Sequence, residues 1–106
     1  MISKELLSEV LGCDYCSLKY SSTTIHYEYE FDVMWSKAMQ KNKAKINIYE
    51  LAHKCKEWAL TEGFIIYSSC KSASIYKDLE YLYGASNEPT EPEAVFKACQ
   101  WILDNK

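Results

Sequence analysis

The stretch IHYEYEFDV (25–33) constrains the fold most strongly, because its polarity alternates at every position. The apolar parity consists of Ile25, Tyr27, Tyr29, Phe31 and Val33. The polar parity consists of His26, Glu28, Glu30 and Asp32. Successive side chains of a β-strand point to opposite faces, so this pattern predicts a strand with one apolar and one mostly acidic face. A sheet must therefore form, and apolar elements must cover one side of it.

Three segments carry helical periodicity together with the residues that start and end helices. Ser3, Asn47 and Thr90 stand at N-cap positions, and Gly12 and Gly63 stand where the first two helices should stop. Each segment has apolar residues at helical spacing, which predicts one buried stripe per helix. We therefore expect two to three amphipathic helices to cover the sheet.

The remaining strands are predicted from shorter alternating or β-branched runs. These runs are 15–20, 64–70 and 73–77, with 79–83 as either a strand or a short helix. Residues 36–46 contain four Lys and no acid, and we interpret them as a basic loop or a frayed helical turn. A chain of 106 residues has room for one domain with one core.

The predicted fold is a single α+β domain over residues 1–106. It has an antiparallel β-sheet of about four strands packed against two to three helices. The element order is α-β-β-α-β-β-(β/α)-α.

Composition and charge exclude several classes of protein. All 12 basic residues are Lys and the net charge is −3, so direct binding to nucleic acid is not expected. No segment has the roughly 18 consecutive apolar residues of a membrane span. Charged residues interrupt the N-terminal leucines, which argues against a signal peptide. We expect a cytoplasmic protein, with its five Cys as reduced thiols.

The motif CDYC (13–16) is a weak candidate for a metal or redox site. No second C-x-x-C or H-x₃₋₅-H supplies further zinc ligands, and His53 and Cys55 lie about 200° apart around a predicted helix. No motif positions a nucleophile beside His26 or His53, and three Gly are too few for a phosphate-binding loop. We therefore predict no enzyme, no metal and no cofactor. The alternative is a small-ligand or metal-binding module that uses a Tyr-rich pocket or the Cys13 and Cys16 thiols.

Clustered charge is the remaining functional signal. Acidic residues recur along the strand 25–33 and between 78 and 93, whereas Lys37, Lys41, Lys43 and Lys45 form a basic stretch. Such charges commonly provide solubility and protect sheet edges. They can also present a row of negative charge to a basic partner. A partner could bind the sheet surface, this acidic row or the 84–92 loop, and the candidate partner-binding residues are Glu28, Glu30, Asp32, Glu88 and Glu91.

Two helical segments, NIYELAHKCKEWALTEGF (47–64) and EPEAVFKACQWILDNK (91–106), resemble those of small phage and prophage proteins. The MISKELLSEVLG start is also similar, so the resemblance covers about half the chain and carries no catalytic residue. It implies an interaction protein in the cytoplasm of the infected or lysogenic bacterial host, which binds and inhibits or modulates a host factor. A defence system is the expected target, such as a CRISPR effector or a nucleotide-signalling system. The oligomeric state stays open, and a homodimer is one of the states allowed.

Overall fold

The computed structural model describes residues 2–22, 25–35 and 38–106, and it describes side chains for 2–22, 25–32 and 42–106. These ranges contain three helices and two three-stranded antiparallel sheets, which confirms the predicted α+β class. The strand count differs from the prediction, since six strands form two sheets instead of about four forming one. None of the described helices is long and apolar enough to cross a membrane.

The same order of elements, three strands followed by a helix, occurs twice after the first helix. The elements are α1 (Lys4–Leu11), β1 (Lys19–Ser22), β2 (His26–Trp35), β3 (Ala38–Asn47), α2 (Ile48–Thr61), β4 (Ile65–Ser69), β5 (Ser72–Lys77), β6 (Glu80–Ala85) and α3 (Glu91–Asn105). In both sheets the strand order follows the chain, so each sheet is a simple meander.

The predicted N-caps are confirmed at all three helices. The side chain of Ser3 accepts a hydrogen bond from the Leu6 amide, and Asn47 and Thr90 do the same for the amides two and three residues ahead. These bonds satisfy amides that have no partner within the helix. Gly12 ends α1 in the left-handed conformation with φ 70°, which a glycine adopts without a steric cost.

The largest difference from the sequence prediction is β3, which occupies most of the segment interpreted as a basic loop. Its register with β2 places Lys43 opposite Glu30 and Lys45 opposite Glu28. Opposite charges on facing residues stabilise a strand pair. The basic segment is therefore stabilised as a strand by the acidic strand beside it. Lys37 lies outside the described residues, and the side chains of Val33 and Lys41 lie outside the described side chains.

The first hairpin also begins later than predicted, because residues 15–17 form a turn instead of a strand. The Asp14 carbonyl accepts hydrogen bonds from the amides of Ser17 and Leu18, and its carboxylate accepts one from the Cys16 amide at 3.1 Å. An Asp side chain that bonds to the backbone two residues ahead favours a turn over an extended chain. The strand therefore starts at Lys19, not at Tyr15.

The second sheet has one face covered by α3 and one outer face, and it contains a β-bulge between β5 and β6. Across β5 and β6, Ile75 pairs with Tyr83 but Tyr76 pairs with Tyr81, so Leu82 is the extra residue. The bulge sends Tyr81 and Tyr83 to opposite faces, although they are two residues apart. Tyr83 stacks on Trp101 of α3 with ring centroids 5.5 Å apart.

The core lies where α2 and α3 pack together and against the covered face of the second sheet. Cys55 and Cys99, predicted on the apolar stripes, are fully buried, and the Cys99 thiol donates to the Cys55 carbonyl at 3.5 Å. The first sheet joins this core through Tyr27, whose ring meets Phe96 edge-on at 6.1 Å. One cluster of buried residues thus includes all three helices and both sheets.

Candidate functional site

The acidic row of β2 faces a basic row on β3. The Glu30 carboxylate lies 3.5 Å from the Lys43 ammonium, and the Glu28 carboxylate lies 3.9 Å from that of Lys45. On the other side, Lys19 of β1 is the register partner of Glu30. The outward face of this sheet therefore carries mixed charge, and Glu28 and Glu30 do not form a purely acidic surface.

The two acidic candidates near α3 also have partners. Glu88 accepts a hydrogen bond from the Lys97 ammonium at 2.9 Å, and this bond raises the pKa of Lys97. Glu91 accepts one from the Ser68 hydroxyl at 2.7 Å, which ties the start of α3 to β4. Both carboxylates therefore stabilise the fold locally. Partner binding by the five predicted residues stays a prediction. Glu28, Glu30 and Asp32 lie on β2, whereas Glu88 precedes α3 and Glu91 is its first residue.

The CDYC thiols are arranged as parts of a turn. Cys13 is half-buried and Cys16 is exposed, and burial raises the pKa of the Cys13 thiol. A raised pKa leaves less of the thiolate that binds metals and attacks electrophiles. Among the described residues, no three His, Cys, Asp or Glu side chains are grouped so that they could bind a metal ion. His53 instead lies 2.9 Å from Glu57, one helical turn ahead.

The first sheet has a surface hollow of about 610 Å³. Its lining residues are Lys19, Tyr20, Ser21, Glu28, Tyr29, Glu30, Lys43, Ala44 and Lys45. Most of these side chains are charged or polar, and the Tyr20 hydroxyl donates to the Ile2 carbonyl at 2.7 Å. Charged side chains form most of the border of this hollow. Binding of a small ligand in a Tyr-rich pocket therefore stays a prediction.

The outer face of the second sheet carries the most apolar exposed surface among the described strands. Ile65, Tyr67 and Tyr81 are 44%, 63% and 57% exposed, and Tyr76 lies half-buried between the two tyrosines. We call Ile65, Tyr67, Tyr76 and Tyr81 the tyrosine face. A contiguous exposed patch of large apolar side chains is typical of a site that binds another protein.

The tyrosine rings of this face pack edge-on against one another. The Tyr67 and Tyr76 rings meet edge-on with centroids 5.4 Å apart, and the Tyr76 and Tyr81 rings do so at 5.7 Å. This ladder crosses all three strands, and Tyr81 lies so close to Gly84 that an added Cβ there would collide with its hydroxyl. Rings held in this way lose little conformational freedom on binding, which favours affinity.

The tyrosine face bears no formal charge. The other outward positions of β4, β5 and β6 are serines and Gly84, as the strand register requires. Lys77 and Glu80 are paired across the turn at one end of the sheet, and they occupy positions of the other face. Burying this face therefore requires no ion to be removed from water, which is the largest cost of burying a polar surface.

The β5–β6 turn adds an apolar tip beside the tyrosine face. Asp78 and Leu79 both have positive φ, 52° and 67°, and Leu79 is 100% exposed. Two central residues with positive φ form the type I′ turn of hairpins, in which Gly or Asn normally takes the strained positions. A bulky apolar residue in a strained, exposed turn is a candidate contact residue.

Sequence reasoning did not locate the tyrosine face. Composition showed an abundance of Tyr, but periodicity alone places Tyr81 and Tyr83 on the same side of a strand. The bulge at Leu82 breaks that rule and completes the ladder on the outer side. The sequence did contain one sign of this face. The polar residues Ser69, Ser72 and Ser74 lie on the outward side of β4 and β5.

No protein-family model, curated protein sequence or solved structure matches this chain.

Proposed function

We propose that this chain is a small, non-enzymatic interaction protein of phage type, which binds a protein of its bacterial host and inhibits or modulates it. The expected targets are defence systems, including CRISPR effectors and nucleotide-signalling systems. The observation that carries the proposal is the tyrosine face, an exposed aromatic surface of packed rings without charge. The phage context comes from the resemblance of the helical segments alone.

A protein partner fits the tyrosine face better than other ligands do. Tyrosine is enriched in protein interfaces because it offers a large apolar ring together with a hydroxyl for hydrogen bonding. Nucleic acid would need cations around the aromatic rings, and the outward positions of this sheet carry none. Tyr67 and Tyr81 are more than half exposed, whereas small ligands are usually enclosed by their sites.

The proposal predicts that affinity capture depends on two exposed tyrosines. The immobilised chain is incubated with host lysate, and bound proteins are identified by mass spectrometry. Tyr67→Ser combined with Tyr81→Ser should reduce capture of the partner at least about tenfold, since a tyrosine at an interface hot spot contributes about 2 kcal/mol or more. The matched control is Tyr15→Ser with Tyr49→Ser, because these tyrosines are 45% and 58% exposed on other elements.

Equal capture by the variant and the parent chain, or equal loss in the control variant, would contradict the assignment to the tyrosine face. Salt separates this surface from the predicted acidic row. Binding through an uncharged face should persist at high ionic strength, whereas binding through Glu28, Glu30 and Asp32 should weaken because salt screens exposed charges. Replacing these three acids by Lys tests the acidic row itself.

A further inference from the structure

The strand β3 is an edge of the first sheet. It pairs with β2 over ten residues, and among the described residues no strand pairs with its other side. Every second residue of an edge strand directs its N–H and C=O away from the sheet, where another strand can bind them. Asn42, Lys43 and Lys45 on this edge are exposed.

Charge alternates from strand to strand across the first sheet. Lys19 of β1 faces Glu30 of β2, which faces Lys43 of β3, and the next row toward α2 sets Glu28 against Lys45. The Lys43 and Lys45 side chains remain 79% and 59% exposed while paired with these acids. Each ammonium can therefore reach a second carboxylate. A strand that continued the alternation of charge beyond β3 would be acidic.

We propose that the β3 edge binds an extended acidic segment of another protein as a fourth strand, with Glu or Asp at alternate positions opposite Lys43 and Lys45. Backbone hydrogen bonds would provide the attachment and the two ion pairs would select the segment, as in other cases of strand addition. This interface involves a different sheet from the tyrosine face, so either proposal can fail without the other.

The same lysines disfavour a second copy of this chain as the occupant. If two β3 strands paired antiparallel around Ala44, Lys43 of one copy would lie opposite Lys45 of the other. Like charges directly opposite each other destabilise a strand pair. A shift by one residue would set each lysine against the apolar parity of the other strand, which a sheet also disfavours. Edge lysines thus block self-pairing and leave an acidic strand as the matching partner.

The test uses a fluorescent synthetic peptide of about six residues, a typical strand length, in which Glu and Thr alternate. Anisotropy measures its binding to the purified chain, and hydrogen exchange of residues 42–46 reports whether their amides become protected. We expect saturable binding together with protection of β3. Lys43→Gln with Lys45→Gln should weaken binding about tenfold, because the two cross-strand ion pairs to the peptide are lost.

A charge-reversed variant keeps the internal ion pairs while it inverts the edge. Its substitutions are Lys19→Glu, Glu28→Lys, Glu30→Lys, Lys43→Glu and Lys45→Glu. This variant should bind the corresponding Lys–Thr peptide and lose the Glu–Thr peptide. Circular dichroism with urea titration confirms that it is folded, and the Gln variant serves as the test if it is not.

Two control peptides separate strand addition from simple charge attraction. One has the same composition with its Glu residues adjacent, and the other carries N-methyl groups on the amides that would face β3. Both should bind at least about tenfold more weakly than the alternating peptide. The proposal is overturned if either control binds equally well, if the Gln variant retains full affinity, or if the alternating peptide does not bind.

Discussion

At the residue scale, two tyrosines of the first sheet hold the beginning of the described chain. Tyr27 is 2% exposed, and its hydroxyl accepts a hydrogen bond from the Ile2 amide at 3.1 Å, while Tyr20 binds the Ile2 carbonyl. We predict that Tyr27→Phe lowers the free energy of unfolding by about 1–3 kcal/mol, because a buried N–H loses its partner. Urea denaturation measures this change, with the slope of the transition left unaltered.

The matched control for this substitution is Tyr67→Phe, which removes an exposed hydroxyl and should change stability by less than about 0.5 kcal/mol. Equal effects of the two substitutions would mean that the hydrogen bond to Ile2 does not stabilise the fold.

A second residue-scale prediction concerns stability in alkaline solution. A hydrogen bond with the Cys99 thiol, together with burial, raises the pKa of Cys55, and burial raises the pKa of Tyr27. The folded chain therefore holds both protons more tightly than the unfolded chain, whose Cys and Tyr groups titrate near 9.0 and 10.0. This stabilisation is complete below pH 9 and is lost as the pH rises further.

The free energy of unfolding should then fall above pH 9 by up to about 1.4 kcal/mol per pH unit for each group. Chemical denaturation in a series of buffers with a reducing agent measures the decline. Cys55→Ala removes one of these protons, so its decline between pH 9 and 10 should be shallower than that of the parent chain. A flat profile up to pH 11 in the parent chain would contradict this assignment.

At the scale of single elements, the β5–β6 turn combines strain with exposure. We predict that Leu79→Gly stabilises the fold by about 0.5–1 kcal/mol, because Gly adopts positive φ without the Cβ clash that Leu suffers there. The same change should weaken capture of the host partner, since it removes a fully exposed apolar side chain beside the tyrosine face. Thermal unfolding and affinity capture on the same samples measure both effects.

Asn87→Gly is the control for the turn substitution. Asn87 also has positive φ, 59°, but Asn tolerates this conformation, so little change in stability or capture is expected. If Leu79→Gly bound the partner as well as the parent chain does, the turn would lie outside the interface.

The helices could be predicted from the sequence, because their caps and apolar stripes are local signals. Ser3, Asn47 and Thr90 act within three residues of themselves, and no tertiary contact is needed to recognise them. The strand β3 could not be recognised in the same way, since its support comes from Glu28 and Glu30 on a neighbouring strand. The alternate spacing of Lys43 and Lys45 was a local sign of a strand, but the segment 36–46 as a whole has no clean period and contains four Lys with no acid.

At the scale of the whole molecule, the two three-stranded meanders and the three helices contribute to one common core. The described chain extends 47 × 29 × 18 Å, and α3 packs on all three strands of the second sheet. Because the helices occupy the inner face of that sheet, the outer face is left for solvent or for a partner. The mixed-charge face of the first sheet and the uncharged tyrosine face are therefore two chemically different surfaces of one small protein.

The candidate site depended on this whole-molecule arrangement, so the sequence could indicate only part of it. The pattern of β2 correctly placed Tyr27 in the core and Glu28 on the exposed side. It could not reveal that Lys45 would face Glu28, nor that a bulge would bring Tyr81 beside Tyr76. Both features depend on the register between strands, which is set by how the strands pair and is not visible in the pattern of any one strand.

The most direct test of the central claim is hydrogen exchange on the complex with the captured host protein. Binding through the tyrosine face predicts slower exchange in peptides that cover residues 65–85, together with unchanged exchange in the 91–105 helix. Slower exchange confined to the strands at 19–47, or no change anywhere in the chain, would contradict the claim that the outer face of the second sheet binds the partner.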